Sequence, residues 1–327
     1  MKKINISAVY FLAQQTMFFA IPLLIVALGG MFSERGGVVN IALEGIMVFG
    51  AFMGIVFINT IQRSGIIINA QLLLILAILV AGAIGAIVSL THAYAAIHLK
   101  ADQVISGTAI NMLAPAFAIF VGRRISARGT QQVHFEDWFR YDSVPVLGDI
   151  PVIGDLFFKN AYITTYIGII ILIISWMLLN KTRFGLRLRA CGEHPQAADS
   201  VGISVYKLRY IGVLLSGLLA GAGGLVFVIP TSREFNATVS GYGFLALAVL
   251  IFGQWKPLRI LGAAFFFGLL KAVAASSSGL PILKDLSISS YFYKTMPYLI
   301  TLLVLAFTSR NSQAPKAEGV PYDKGGR

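Results

Sequence analysis

Nine long apolar runs dominate this sequence and leave few folds open to it. They lie at about 10–32, 38–60, 67–97, 104–122, 161–180, 209–230, 241–253, 258–277 and 293–309. Most of them reach the ~20 residues that a helix needs to cross a bilayer. Lipid offers no partners to backbone polar groups, and the ten-residue alternation of a membrane β-barrel is absent. We therefore predict an all-α, polytopic membrane protein with about 8–10 transmembrane helices, at least one of them broken.

Composition argues against a soluble protein. Hydrophobic residues make up 57% of the 327 residues and charged residues 12%, which is about half the charged share of a soluble domain. The formal net charge of +12 arises mainly from short segments between the apolar runs. Such a distribution is typical of the positive-inside bias, so we expect no nucleic-acid partner. Cys191 is the only cysteine, which excludes an intrachain disulfide.

Two polar segments predict the orientation of the chain. Segment 181–209 carries six Lys and Arg residues against Glu193 and Asp199, so we place it in the cytoplasm. The loop 123–160 balances five basic residues with five acidic ones, so we place it outside.

The two ends of the chain are harder to assign. We expect residues 1–309 to form one transmembrane domain, and 310–327, which are rich in Gly, Pro and polar residues, to form a disordered cytoplasmic tail. Four spans counted back from an outer loop put the N-terminus outside, whereas Lys2 and Lys3 favour the inside. The sequence leaves this orientation open.

The strongest polar interruption is the segment S-E-R-G-G-V-V-N-I-A-L-E-G, residues 33–45. It places Glu34, Arg35, Asn40 and Glu44 between two apolar runs. Ionisable groups at membrane depth are costly and usually face a cavity or a partner. The pattern therefore indicates either a discontinuous helix that lines a substrate pathway or a short aqueous loop.

Other polar positions carry less information. The short run 241–253 is bounded by glycines and predicts half of a broken helix. Residues 33–53 and 232–252 are faintly similar, as internal repeats in transporters are. Lys271, near the end of the eighth run, is expected to extend towards the membrane surface. No metal-ligand set is apparent.

The segment 184–203 contains a second candidate site. Pro195–Val201 has the pattern of a short helix, with a proline in its first turn and Gly202 after its end. This helix is too short and too polar to span a membrane. It is either a docking element for a cytoplasmic partner or an ordinary connector.

Residues 184–203 resemble the cytoplasmic coupling segment of ABC importer permeases of the branched-chain amino acid, ribose and nucleoside superfamily. His194 stands where that family carries Asn. Residues 28–50 resemble the N-terminal motif of the nucleoside and simple-sugar branch, and 216–224 and 241–253 also fit. The residues that we assign to ATPase coupling by this resemblance are Gly185, Arg189, Ala190, Gly192, Glu193, Ala197, Ala198 and Gly202.

The resemblance implies a transport subunit rather than an enzyme, in the inner membrane of a bacterium. It implies a cytoplasmic ABC ATPase that binds the ATP, a second permease chain of different sequence, an external substrate-binding protein or lipoprotein, and contact with membrane lipid. The chain itself is expected to hold no cofactor and no metal. Asn40 and Glu44, with Glu34 and Arg35, are our candidates for the substrate pathway.

The expected substrate is a nucleoside, and the alternatives are a simple sugar such as ribose, riboflavin or another small polar solute. Two further classes are an integral membrane enzyme and an ion-coupled transporter. The sequence has no G-x-x-x-x-G-K-[ST], G-x-S-x-G or H-E-x-x-H motif that would favour an enzyme.

Overall fold

A computed structural model describes residues 6–126, 129–136, 139–144, 148–276, 290–308 and 313–324. The α-helices of this part of the chain are α1 Ile6–Arg35, α2 Leu43–Arg63, α3 Ala70–Ile97, α4 Gln103–Ile125, α5 Ile163–Lys181, α6 Arg183–Glu193, α7 Pro195–Ser200, α8 Val205–Thr231, α9 Tyr242–Phe252, α10 Pro257–Ser276 and α11 Ser290–Thr308. Seven of the described helices are long and apolar enough to cross a membrane, namely α1 to α5, α8 and α10. The predicted all-α polytopic fold is confirmed, and α9 and α11 occupy the remaining two apolar runs.

In the part of the chain that the structure describes, four short strands pair outside the bundle. They are β1 Val133–His134, β2 Arg140–Ser143, β3 Lys159–Tyr162 and β4 Glu234–Phe235. β1 pairs antiparallel with β4, and β2 pairs antiparallel with β3. A π-helical turn, Gly154–Phe158, precedes β3. The β1–β4 pair joins the loop after α4 to the segment that follows α8, and the β2–β3 pair lies within the segment between α4 and α5.

Small residues let the central helices pack backbone to backbone. A Cβ atom added to Gly221 of α8 would collide with the carbonyl oxygen of Ala81 on α3, and one added to Gly50 of α2 would collide with Gly221 itself. Close approach of this kind replaces the hydrophobic driving force that helices lack inside lipid. It places α8 at the centre of the bundle, against α1, α2 and α3.

Contacts at the two ends of the bundle relate the orientation of α1 to that of segment 181–209. At one end, Gln14 of α1 donates to the Asp155 carbonyl at 2.7 Å, and Asn59 of α2 donates to the His134 carbonyl at 2.7 Å. At the opposite end, Arg35 of α1 lies 3.8 Å from Glu193. The charge bias predicts a cytoplasmic position for Glu193, so its end of the bundle is called the cytoplasmic end below, and the opposite end, where α1 begins, is called the outer end.

The predicted disorder of the tail 310–327 is wrong for residues 313–324. This stretch, called the C-terminal strap below, lies against the cytoplasmic end of the bundle, with Pro315, Ala317 and Tyr322 buried. Its composition suggested disorder because Gly, Pro and polar residues form no core of their own. The strap is ordered through backbone hydrogen bonds to other segments, which composition does not reveal.

Candidate functional site

Two helices begin inside the bundle and meet at their N-termini. α2 follows the non-helical residues 36–42 and runs to the outer side, whereas α9 follows residues 236–241 and runs to the cytoplasmic side. With 11 residues, α9 spans about 16 Å, roughly half of a bilayer core. The predicted broken helix is therefore present.

The Glu44 carboxylate joins these two helix starts. Its Oε1 accepts a hydrogen bond from the Gly241 amide at 2.9 Å, and its Oε2 accepts one from the Gly243 amide at 2.7 Å. A Cβ atom at Gly243 would collide with the Glu44 backbone, so the backbones of α9 and α2 are in direct contact. A carboxylate is favoured here because the first N–H groups of a helix lack partners and carry partial positive charge.

The non-helical backbone before α2 is held by side chains of two other helices, α3 and α4. Val39 donates to Gln103 at 2.7 Å, and His92 contacts the Val39 carbonyl at 2.9 Å. Asn111 donates to the Ile41 carbonyl at 2.9 Å and accepts from Gly45 at 2.7 Å. Irregular backbone survives at membrane depth only when protein groups replace water in this way.

Asn40 is the buried polar residue of this segment. It is fully buried, and its amide donates to Ser216 of α8 at 2.8 Å. Its Oδ1 has no hydrogen-bond partner among the described residues. Asn40 and Glu44 thus lie within the bundle, but neither lines the cavity described next.

That cavity, of about 630 Å³, lies towards the outer side between α1, α8, α10 and α11. We call it the outer cavity. Its lining residues are Gln15, Phe18, Phe19, Phe227, Pro230, Thr231, Ser240, Tyr242, Lys271, Ala274, Ala275 and Tyr298. Ser240 and Tyr242 flank Gly241, so the outer cavity adjoins the junction that Glu44 holds.

Polar groups in the outer cavity are few and fixed in place. The Lys271 ammonium lies 3.1 Å from the Tyr298 hydroxyl and 4.8 Å and 5.4 Å from the ring centroids of Tyr298 and Tyr242. Lys271 therefore contacts aromatic rings instead of extending to the membrane surface. The Tyr242 side chain is buried, and its hydroxyl has no hydrogen-bond partner within the described part of the chain.

Little in the sequence indicated the outer cavity. Phe18, Phe227 and Tyr242 lie inside apolar runs, where an aromatic ring is ordinarily a core or lipid-facing residue. Of the lining residues, Lys271 carried the best signal, since a lysine at membrane depth usually has a partner. Within the described residues, no group of three His, Cys, Asp or Glu side chains is close enough to hold a metal.

Glu34 and Arg35 lie apart from Glu44, at the cytoplasmic end of α1. Glu34 is buried and accepts a hydrogen bond from the indole N–H of Trp255. Arg35 donates to the Trp255 carbonyl at 3.1 Å and 3.3 Å and faces Glu193. The four residues predicted together for the pathway thus divide between two places, and Glu34 and Arg35 belong with the predicted coupling residues.

The predicted coupling residues lie on α6 and α7, except Gly202, which follows α7, and they differ in exposure. Gly185, Gly192 and Ala198 are buried, Arg189 and Ala190 are half-buried, and Glu193, Ala197 and Gly202 are exposed. A Cβ atom at Gly192 would collide with the Arg35 carbonyl, so this glycine packs against α1. Leu186 and Val201, 63% and 73% exposed, add apolar surface that the family motif did not indicate.

At His194, where this chain departs from the family pattern, the side chain caps α7. His194 precedes α7, and its Nδ1 accepts a hydrogen bond from the Ala197 amide at 3.3 Å. An Asn side chain at a helix N-cap accepts the same kind of hydrogen bond. The substitution therefore retains the cap of the short helix.

The C-terminal strap ties the coupling helices to the rest of the cytoplasmic end. Ala317 donates to the Gly192 carbonyl at 2.8 Å, and Gly319 donates to the Gly37 carbonyl at 3.2 Å. Lys100 pairs with Asp323 at 2.8 Å. Sequence reasoning missed this element because isolated backbone hydrogen bonds leave no residue pattern.

A buried arginine depends on the strap. Arg209 of α8 is 1% exposed and donates to the Val320 carbonyl at 2.9 Å. Its Nε and Nη2 have no partner among the described residues. A buried guanidinium with so few acceptors is costly, so the strap carbonyl is a substantial part of its stabilisation.

Comparisons with known proteins agree on one family. The model of the branched-chain amino acid transport system / permease component family matches residues 12–306. The guanosine ABC transporter permease protein NupQ of Bacillus subtilis is 46% identical over 313 residues, 95% of this chain and 96% of its own. The nucleoside ABC transporter permease protein NupC of Lactococcus lactis is 41% identical, covering 94% of this chain and 95% of its own.

A more distant relative has a different substrate in its name. The putative glucose ABC transporter permease protein TsgC13 of Haloferax volcanii is 32% identical, covering 90% of this chain and 91% of its own. No solved structure matches this chain.

Proposed function

Because this chain belongs to the permease family of the branched-chain amino acid transport system, we propose that it carries nucleosides through the outer cavity. The chain is the membrane-spanning permease subunit of an ABC transporter and a multi-pass protein of the bacterial plasma membrane. The observation that carries the substrate assignment is the aromatic lining of the outer cavity.

The outer cavity has the properties that a nucleobase requires. Its volume of about 630 Å³ lies within the roughly 300–1,000 Å³ typical of small-molecule sites. Phe18, Phe19 and Tyr298 present ring surfaces, and stacking of a base on an aromatic ring contributes about 1–3 kcal/mol. The partnerless Tyr242 hydroxyl and the Lys271 ammonium supply hydrogen-bonding groups at the edge of such a ring.

Movement at the Glu44 junction is the transport step that we propose. The N-termini of α2 and of the half-helix α9, held together by one carboxylate, form a closed partition between the outer cavity and the cytoplasmic side. Separation of α9 from α2 breaks the two hydrogen bonds to Glu44 and opens the partition. Alternating access of this kind needs two states whose balance is shifted by ATP binding and hydrolysis.

The ATPase that drives this change is expected to bind α6 and α7. We propose the exposed residues Glu193, Ala197 and Gly202, with Leu186 and Val201, as its contact surface. An external substrate-binding protein and a second permease chain of different sequence complete the transporter. ATP belongs to the ATPase chain, and no cofactor is assigned to this chain.

Simple-sugar transport is the second candidate, favoured by the glucose permease relative. A sugar binds mainly through many hydrogen bonds to its hydroxyls, whereas the outer cavity offers Gln15, Thr231, Ser240, Tyr242 and Lys271 among larger apolar surfaces. The Thr231 hydroxyl already donates within its own helix. This lining favours a planar base over a sugar alone.

Uptake into proteoliposomes tests the proposal. The assembled transporter, with ATP inside the vesicles and the external binding protein outside, should accumulate labelled guanosine or uridine. A hundredfold excess of unlabelled nucleoside should compete, and the same excess of glucose or leucine should not. Accumulation of glucose with no nucleoside uptake would overturn the nucleoside assignment in favour of the sugar.

A further inference from the structure

A second cavity, of about 510 Å³, lies at the cytoplasmic end between α5, α6 and the start of α10. We call it the basic groove. Its lining residues are Arg35, Trp176, Leu179, Asn180, Lys181, Arg189, Trp255, Lys256, Pro257, Leu258 and Arg259. Five of these residues are cationic, and no acidic residue of the described chain is among them. Neither the pathway nor the exposed face of α7 uses this groove.

Part of the basic groove is rigidly held. Arg35 is fixed by its two hydrogen bonds to the Trp255 carbonyl, and the Lys181 ammonium lies 5.7 Å from the centroid of the Trp176 ring. Lys256 and Arg259 are exposed. The groove therefore combines preorganised cations with two further cations that are free to contact a ligand.

The surroundings of the basic groove identify a lipid-facing position. On α5, Ile170, Ile173 and Met177 are each about half exposed, and on α10 Leu258 and Phe266 are 62% and 42% exposed. Apolar surface on spanning helices faces acyl chains, and Trp next to Lys marks the interface with the lipid headgroups. The groove thus lies where two lipid-facing surfaces end at the cytoplasmic leaflet.

We propose that the basic groove binds the headgroup of an anionic phospholipid of the inner leaflet. Guanidinium and ammonium groups donate strong hydrogen bonds to phosphate oxygens. Basic pockets between transmembrane helices on the cytoplasmic side suit such headgroups. The acyl chains lie along the exposed faces of α5 and α10. Phosphatidylglycerol and cardiolipin share the required chemistry.

An acidic segment of the ATPase is the competing occupant. It is less favoured because the groove opens beside the apolar, lipid-facing residues of α5, whereas the ATPase contact proposed above consists of exposed residues of α6 and α7 that do not line the groove. The lipid proposal does not depend on the substrate of the transporter.

Two variants with equal loss of charge test the proposal in the assembled transporter. Lys256→Gln/Arg259→Gln removes two exposed cations of the groove, and Arg123→Gln/Arg124→Gln removes two exposed cations at the outer end of α4. Native mass spectrometry after titration with phosphatidylglycerol or phosphatidylcholine measures bound lipid. The groove variant should bind phosphatidylglycerol on the order of tenfold more weakly than the wild type, and the outer variant should bind it as the wild type does.

Two results would overturn the proposal. One is equal retention of phosphatidylglycerol by the groove variant and the wild type. The other is unchanged lipid binding together with dissociation of the ATPase from the groove variant, which would assign the groove to the ATPase. Because lipid is measured directly, a transporter that failed to carry nucleosides would still report on the groove.

Discussion

The Glu44 junction lies inside the bundle, whereas α6, α7 and Gly202, called the coupling face here, connect α5 to α8 at its cytoplasmic end. The two regions are stabilised differently. At the junction, side chains of α3 and α4 and the Gly319 amide of the strap hydrogen-bond to the backbone of residues 36–42. Ser216 of α8 accepts a hydrogen bond from the Asn40 side chain. At the coupling face, α7 needs only the local cap of His194, and the strap adds backbone hydrogen bonds from outside the bundle. The junction should therefore tolerate few substitutions, whereas the coupling face should lose function without losing the fold.

The largest effect is expected at Glu44. Glu44→Ala leaves the amides of Gly241 and Gly243 without their acceptors, at a cost of about 1–3 kcal/mol for each buried group. Nucleoside uptake should fall by a hundredfold or more, and the melting temperature should fall as well. Glu44→Gln keeps one acceptor oxygen and should be intermediate. Glu136→Gln, at an exposed outer position, is the control, and full uptake by Glu44→Ala would contradict the role of the junction.

Removal of the strap should give the second largest effect. A chain that ends at Ser312 loses the acceptor for Arg209 and the hydrogen bond to Gly192. We expect at least a tenfold loss of ATP-driven uptake with the transmembrane bundle intact. A chain that ends at Lys324 keeps the strap and serves as the control.

The labelling rate of the Cys191 thiol measures whether the strap covers the coupling helices. Cys191 is the only cysteine, it is fully buried, and burial raises the pKa of its thiol to about 11. Maleimide labelling of the wild type should therefore be slow at neutral pH. Labelling should accelerate in the chain that ends at Ser312, because the neighbouring residue Gly192 loses its cover. Equal rates in both chains would show that the strap does not protect the coupling helices.

Ala197 and Gly192 both belong to the family motif, but Ala197 is exposed and Gly192 is buried. Substitutions at the two positions should therefore have different effects. Ala197→Trp adds a bulky side chain at an exposed site, so it should uncouple ATP hydrolysis from uptake severalfold without lowering the melting temperature. Gly192→Trp should instead destabilise the fold, because its side chain would collide with α1. Ala109→Trp on the exposed face of α4 is the matched control. Normal coupling in Ala197→Trp would remove α7 from the ATPase contact.

These residues also show what sequence could and could not supply. The nine apolar runs predicted the helices because lipid demands long apolar segments, and the glycine-bounded run 241–253 predicted the half-helix α9. The polar segment 33–45 located Asn40 and Glu44. It could not separate them from Glu34 and Arg35, since the depth of each residue depends on where α1 ends.

The outer cavity and the strap were beyond the reach of sequence reasoning for a different reason. The outer cavity assembles aromatic residues from four helices that are distant in sequence, and each ring alone resembles a core residue. The strap is held by backbone hydrogen bonds and by single long-range contacts such as Lys100–Asp323, and none of these forms a pattern in the sequence. A composition rich in Gly and Pro therefore predicted disorder where tertiary contacts impose order.

Tyr242→Phe is a mild test of the outer cavity. The Tyr242 hydroxyl has no partner among the described residues, so its removal should leave stability unchanged or slightly higher. If the hydroxyl binds the base, the KM for nucleosides should rise about fivefold, the value of one hydrogen bond of about 1 kcal/mol. Tyr141→Phe, at an exposed outer position, controls for loss of a hydroxyl. An unchanged KM in Tyr242→Phe would place the substrate elsewhere.

The smallest effect expected is a dependence of strap attachment on pH through Glu318. Burial raises the pKa of this carboxyl, while the hydrogen bond to Glu34 and the charge of Arg35 act in the opposite direction. A pKa that is raised in the attached state means that attachment is strongest when the carboxyl is protonated. The strap should therefore hold most tightly at acidic pH and loosen as pH rises through the pKa of the attached state.

Hydrogen exchange of residues 313–324, normalised to the intrinsic exchange rate at each pH, measures this attachment. Glu318→Gln mimics the protonated form, so it should keep the strap protected at pH 8 and abolish the pH dependence. Equal pH dependence in the wild type and in Glu318→Gln would assign the effect to another group.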